Sequence, residues 1–255
     1  LVPEPKEDIS FLLPFEHIEA AISAVPQIKL AGLDPQSIEF MERDIVDSSA
    51  NYTGNKIIPT VVQDKEVGAY ILVTLDGNDQ DEIFQRAETL AEVADEAGAY
   101  DTLVLSHPDD KRNVWAARSA FLTVIEADTE LLDEMDVVVP VDRIAEFLGF
   151  VHEVGVEQGV AIRSFGHAGD GNLHIYCGAN GMEQEEFLSR SSRVMQEAYR
   201  KCADLGGQVS GEHGIGHAKK DYLRESAGET AIALMAGIKQ VFDPKGILNP
   251  GKVCS

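Results

Sequence analysis

Two histidines and a neighbouring glutamate–histidine pair, each set among glycines, are the residues in this sequence best placed to do chemistry. The first run is Arg163-Ser-Phe-Gly-His-Ala-Gly-Asp-Gly-Asn-Leu-His174. Asp170-Gly171 is a dipeptide favoured in a two-residue hairpin turn, where both central positions take positive φ. With that turn, Gly169 faces Asn172, Ala168 faces Leu173 and His167 faces His174, so two imidazoles share one sheet face. Two neutral imidazoles converging in this way make half of a site for zinc, manganese or iron. The anionic ligand has a source in the second run, Gly206-Gly-Gln-Val-Ser-Gly-Glu-His-Gly-Ile-Gly216, which carries Glu212 and His213 side by side. Adjacent side chains diverge in looped backbone, leaving one to bind the ion while the other faces a substrate. Two histidines and a carboxylate with open coordination positions describe a catalytic site rather than a closed structural one. A single histidine beside a turn reads more simply as a surface residue; the paired register and the nearby Glu-His together point to metal.

The elements that must hold these residues are read from periodicity and turn chemistry. A helix is expected over 15–25, after a proline-rich start. A second is expected from Asp34-Pro35, with Asp as N-cap, Pro at the first position and a stripe of Ile38, Met41 and Ile45. The polar stretch 47–56 reads as a mobile loop. Residues 69–75 read as a buried strand, followed by a helix with Ile83, Ala87, Leu90, Ala94 and Ala97 on one face. Next come a short strand over 102–105, a helix over 109–132, a strand over 136–139 and a helix striped by Val141, Ile144, Leu148 and Val151. The hairpin arms are 160–165 and 172–176. Helices over 182–205 and 229–242 and a turn-rich tail to Lys252 complete the chain. The hairpin and short mixed crossovers favour α+β: an antiparallel, ferredoxin-like sheet covered by helices on one face, with a C-terminal helical segment. No internal repeat or linker stands out. No Gly-x-Gly-x-x-Gly lies between a strand and a helix, and there is no Walker-type loop.

Of 255 residues, 44% are hydrophobic, enough for a sizeable core. The formal net charge of −23 disfavours nucleic acid and anionic membrane surfaces as partners. A carboxylate substrate would then need local positive charge from a metal or an arginine. Three cysteines, Cys177, Cys202 and Cys254, without Cys-x-x-Cys spacing, make neither a disulfide framework nor a zinc ribbon. They fit a reducing, cytoplasmic setting. No apolar run of about 18 residues and no signal segment is present. A chain opening at Leu1 reads as a fragment of something longer.

Three motifs in order, Phe165-Gly-His-Ala-Gly-Asp-Gly-Asn-Leu-His174, Gly211-Glu-His-Gly-Ile-Gly216 and Phe242-Asp-Pro-Lys-Gly-Ile-Leu-Asn-Pro-Gly-Lys252, resemble the C-terminal half of the FAD-linked 2-hydroxyacid dehydrogenases. That family contains D-lactate dehydrogenase, D-2-hydroxyglutarate dehydrogenase and the glycolate oxidase flavin subunit. The opening Leu-Val-Pro-Glu-Pro resembles the join after its FAD domain. The resemblance implies a cap, or substrate, domain with a metal site over 1–225. A segment over 226–255 returns to the FAD domain of the same polypeptide, which is missing here, so the chain alone would be inactive. It implies His167, His174 and Glu212 as metal ligands and His213 as the base that takes the hydroxyl proton. Arg118, in Trp115-Ala-Ala-Arg118, would bind the substrate carboxylate, and Asn249 would lie near the flavin. The implied cofactors are FAD and a divalent metal. The implied reaction oxidises a small 2-hydroxycarboxylate to a keto or oxo acid, with hydride passing to FAD and then to an acceptor protein or quinone.

Two positions depart from relatives that use dicarboxylates. Glu134 stands where they have lysine, and Tyr176 where they have asparagine, so a monocarboxylate such as lactate or glycolate is expected. The residues alone also admit a stand-alone metal-dependent hydrolase, although His-Glu-x-x-His is absent, or a non-catalytic docking module.

Overall fold

The computed structural model describes residues 4–254. In chain order its elements are β1 (Glu7–Phe15), α1 (Ile18–Leu30), β2 (Ser37–Glu42), α2 (Arg43–Thr53), β3 (Val61–Val62), β4 (Lys65–Glu66), β5 (Ala69–Gly77) and α3 (Gln80–Glu96). There follow β6 (Leu103–Leu105), α4 (Pro108–Ser119), α5 (Phe121–Asp128), β7 (Leu131–Val138), α6 (Ile144–Gln158), β8 (Ala161–His167), β9 (Asn172–Ala179), α7 (Gln184–Asp204) and α8 (Lys220–Phe242). Seven strands form one sheet in the order β6-β1-β5-β2-β8-β9-β7, each neighbouring pair antiparallel.

The order resolves into two related halves. β1-α1-β2-β5-α3-β6 is a ferredoxin-like βαββαβ unit. β7-α6-β8-β9-α7 repeats it, with the fourth strand reduced to one bridge between Val138 and Gln208. The halves join edge to edge through β2 and β8.

Strand alternation sends side chains to two faces. On one, Phe11, Phe40, Val73, Leu173 and Val137 pack under α1, α3, α6 and α7. On the other, Leu12, Met41, Tyr70, Leu72, Phe165 and Tyr176 pack under Ile45 of α2, Val114 of α4 and Phe121 and Ile125 of α5. The expected helical layer on one face is present, and three further helices cover part of the second. Leaving these large side chains exposed would forfeit about 1.5–3 kcal/mol each.

Several local readings are corrected. Asp34-Pro35 does not cap a helix: Asp34 sits at φ +44, and 37–42 forms β2, with Ile38 and Phe40 on one face and Glu39 and Met41 on the other. The spacing of Ile38, Met41 and Ile45 came from a strand running straight into a helix. The stretch expected as a mobile loop is α2, whose Ser49 hydroxyl donates to the Ala117 carbonyl at 3.0 Å and which stops at Gly54 in the left-handed region. The first helix starts at Ile18, capped by the His17 ring, and the residues before it form β1. The helix expected over 109–132 is two helices meeting at Ala120, and Leu131 and Leu132 belong to β7. The last helix begins earlier, at Lys220, and breaks at Gly228 (φ 77, ψ 163).

Candidate metal and proton-transfer site

The β8–β9 hairpin is wider than its sequence suggests. Phe165 pairs with His174 and His167 with Asn172, so four residues, Ala168 to Gly171, form the loop. A two-residue turn would need positive φ at both Asp170 and Gly171, and only Gly171 has it (φ 79). The loop is instead tied to its neighbours: the Gly169 amide donates to Ile38 O at 3.1 Å, and Val139 N to Gly171 O at 3.0 Å. A Cβ at Gly171 would lie 2.0 Å from Val139 O, so only glycine fits. The register differs from expectation by two residues, which preserves the face of every side chain. His167 and His174 are therefore diagonal neighbours rather than direct partners, with ring centroids 5.6 Å apart at 85°.

Asp136 on β7 builds the opposite wall. Its Oδ2 accepts the Ser210 hydroxyl at 2.8 Å and the amides of Gly211, Glu212 and His213 at 3.0, 3.1 and 2.9 Å, while Asn172 Nδ2 donates to Oδ1 at 3.0 Å. Burial opposes its charge, but the hydrogen bonds from the His213 amide, Ser210, Asn172 and the Glu212 amide outweigh it and hold the carboxyl at about 2. The loop must come close: a Cβ on Gly211 would meet Asn172 Nδ2 at 1.5 Å. In the sequence this carboxylate reads only as the start of a strand; an acid inside the apolar run Met135-Asp-Val-Val-Val139 is the available signal.

Held this way, Glu212 points Oε1 to within 3.2 Å of His174 Nε2 and 3.6 Å of His167 Nε2. The three predicted ligands are brought together, with their donor atoms all within 4.8 Å of one another. Two atoms each about 2.1 Å from a shared ion lie roughly 3.0–3.4 Å apart at octahedral to tetrahedral angles; the Glu212–His174 separation falls in that range and the Glu212–His167 one just outside it. Burial, then the neighbouring His213, pushes His174 down to about 4, keeping it a neutral donor. Its Nδ1 makes no hydrogen bond, and Asp136 Oδ1 is 4.0 Å away. His213 stacks on His174 with centroids 5.0 Å apart and lies with Nδ1 3.9 Å from Glu134 Oε1.

Arg118 reaches the same face from α4, over the Phe165 ring at 4.5 Å. Its Nε and Nη2 donate to Glu39 Oε2 at 3.2 and 2.9 Å, and Glu39 Oε1 is 2.7 Å from His167 Nδ1. Burial opposes the Glu39 charge, but the His167 hydrogen bond and Arg118 hold its carboxyl below the usual range. The same hydrogen bond raises His167. Glu39 is hidden in the sequence because its segment reads as helix; as a strand, an acid flanked by Ile38, Phe40 and Met41 is conspicuous.

Asn249 lies elsewhere, exposed in the tail at φ +43. The tail is tied back to the Glu212-His213 loop by Val253 N donating to Gly216 O at 2.8 Å. Leu234, Ile238, Val241 and Phe242 form an apolar stripe on α8, each more than half exposed, with Ile247 and Leu248 exposed beyond it. Cys177, Cys202 and Cys254 are free thiols, and burial pushes the first two up to about 12. Among the described residues no helix is long and apolar enough to cross a membrane.

Similarity to known proteins extends over nearly the whole chain. The chain is 47% identical over 254 residues to a D-lactate dehydrogenase of Anaerostipes hadrus, covering 100% of this chain and 54% of that protein. It is 29% identical over 256 residues to the glycolate oxidase subunit GlcD of Bacillus subtilis, covering 99% and 52%. It thus spans about half the length of the curated relatives it matches. Among solved structures, p-cresol methylhydroxylase with substrate bound superposes with a TM-score of 0.71 at 14% identity, covering 99% of this chain and 53% of that one. The 4-ethylphenol oxidase of Gulosibacter chungangensis does so with 0.67 at 16%, covering 99% and 54%. At such identities these structures speak for the fold alone. The family model of FAD linked oxidases, C-terminal domain, matches residues 4–253, and the chain belongs to that family.

Proposed function

We propose that this chain is the substrate- and metal-binding half of a flavin-dependent 2-hydroxyacid dehydrogenase of the D-lactate or glycolate class. The observation that carries the proposal is the convergence of His167 Nε2, His174 Nε2 and Glu212 Oε1, with the His213 ring stacked beside them. When bound, a divalent ion would supply a Lewis acid for the α-hydroxyl and FAD a hydride acceptor. His167, His174 and Glu212 hold the ion. His213 accepts the hydroxyl proton, within reach of whatever Glu212 and His174 orient. Arg118 spends Nε and Nη2 on Glu39, leaving Nη1 for the substrate carboxylate.

The charge near His213 favours a small monocarboxylate. Glu134 is an anion 3.9 Å from that ring and would repel a second substrate carboxylate. Tyr176 is buried against Phe165 and adds no side-chain amide beside His174. Residues 1–225 form the cap, and 226–255 lay the exposed apolar stripe of α8, with Asn249 beyond it, against the FAD domain of the same polypeptide. Electrons then leave to an acceptor protein or quinone, and the free thiols suit a cytoplasmic setting.

The test joins the chain to the FAD domain of a full-length relative and follows dye reduction by D-lactate and by glycolate. Metal-dependent turnover is expected, and His213→Ala should lower kcat by about 10²–10⁴-fold while the bound metal stays stoichiometric. Full turnover after His213→Ala would remove the assigned base. Chelator-sensitive ester or peptide hydrolysis by the chain alone would favour a hydrolase instead.

A further inference from the structure

Among the described residues, Glu39 is the one buried acid on the site face that touches both a proposed metal ligand and the proposed carboxylate anchor. It lies directly across the β2–β8 seam from His167 and is almost fully buried. Its two oxygens are divided: Oε1 serves His167 Nδ1 and Oε2 serves Arg118. Resting on the metal reading above, we infer that Glu39 is a positioning residue, which sets the His167 tautomer with the proton on Nδ1, leaves Nε2 free as a ligand, and yokes that ring to Arg118.

A neutral imidazole carries one N–H, and the nitrogen that bears it is chosen by the hydrogen bond the ring makes. A carboxylate only accepts, so Glu39 draws the His167 proton to Nδ1 and turns the Nε2 lone pair toward Glu212 and His174. Carboxylate partners of this kind fix the orientation of ligating histidines and increase their basicity. His174 has no such partner, since its Nδ1 makes no hydrogen bond. The cluster thus holds one histidine set by a buried acid and one set by packing. Arg118 also matters here, because a guanidinium only donates and therefore always claims one Glu39 oxygen.

That constraint makes Glu39→Gln an informative replacement of similar shape. Its single carbonyl oxygen must go to Arg118, so its amide NH₂ faces His167 and donates to Nδ1. The ring then carries its proton on Nε2, pointing into the donor cluster and blocking the lone pair. Glu39→Asp keeps an acceptor for both groups and should recover part of what Gln loses.

The experiment uses this chain in two measurements. Nitrogen NMR of the histidine rings in metal-free protein at pH 8, with His167→Gln assigning the resonance, should show Nδ1–H in the parent and Nε2–H in Glu39→Gln. Titration with Zn²⁺ alone should show affinity falling about 10–100-fold in Glu39→Gln, with partial recovery in Glu39→Asp and an unchanged circular dichroism spectrum. A parent chain with His167 protonated on Nε2, or a Glu39→Gln protein that keeps both the parental tautomer and the parental Zn²⁺ affinity, overturns the inference. A parent chain that shows the stated tautomers but takes up no Zn²⁺ supports Glu39 as the device that sets His167 and removes the metal reading instead.

Discussion

The two halves of the sheet follow one plan and differ where it ends. In the first half the fourth strand, β6, pairs with β1 at Ser10, Phe11 and Leu12 and closes that side. In the second half the corresponding segment makes a single bridge, Val138 to Gln208, and then leaves as the loop Ser210-Gly-Glu-His213. Its amides have no strand to pair with, and Asp136 collects them. An incomplete strand thus becomes a loop whose side chains are free to face the histidines. The polar groups on this sheet face diverge accordingly. In the first half Ser10 and Thr74 hydroxyls meet at 2.9 Å, a neutral buried pair, and Glu39 brings charge only at the seam, whereas in the second half the face carries Asp136, His174 and His167.

This contrast can be broken most strongly at Asp136. Asp136→Ala leaves three amides and the Ser210 hydroxyl without their acceptor, and should cost about 3–5 kcal/mol in urea denaturation together with Zn²⁺ binding. The loss should be pH-dependent in a defined direction. Folding lowers this carboxyl from 3.8 to about 2, so its stabilisation is present above pH 3.8 and fades as pH falls toward 2. Curves for the parent and Asp136→Asn should converge at the acid end; a constant gap would mean that packing, not charge, sets the loop. The equivalent change in the first half, Thr74→Val, removes one neutral partner and should cost about 1 kcal/mol without altering Zn²⁺ affinity.

The seam between the halves offers a finer test. A glutamate of β2 meets a histidine on each face: Glu39 with His167 on the site face, and Glu42 with His152 of α6 at 3.0 Å on the other. Ser164 also donates to Glu42; Asp44 and Glu19 add negative charge near His152, but among the described residues it joins no donor cluster of the kind that Glu212 and His174 form with His167. The first pair adjoins the His167–His174–Glu212 cluster; the second joins β2 to α6. Burial works against protonation of His152, but Glu42, helped by the charges of Asp44 and Glu19, outweighs it and raises the ring above its usual 6.5. Its stabilisation is therefore complete below pH 6.5 and lost as pH rises through the raised value. His152→Gln should be destabilised at pH 6 and approach the parent near pH 9, the smallest effect of the three, with Zn²⁺ uptake unchanged. Equal stability of the two proteins at pH 6 would show that this pair contributes nothing.

Much of the site was legible before the fold. His167, His174, Glu212 and His213 stand out as histidines and a glutamate set inside glycine-rich runs, and the structure brings the donor atoms of His167, His174 and Glu212 together, with the His213 ring stacked on His174. Arg118 was legible as a charge but not as a bonded group. Its partner Glu39 is 79 residues away and sits in a stretch whose apolar spacing imitates a helix. Asp136 was hidden for a similar reason: its value depends on four donors from residues 210–213, which reach it only when β7 ends the sheet.

Residue types and the two-residue parity that keeps both histidines on one face are local properties, readable without the fold, because alternation along a strand is local geometry. Tertiary structure decided the width of the hairpin loop, since Ile38 of β2 and Val139, just past β7, bond its backbone. It also decided which acids are buried against which donors. Those depend on sheet order, and sheet order is settled by where large apolar faces can be hidden from water rather than by any neighbouring residue.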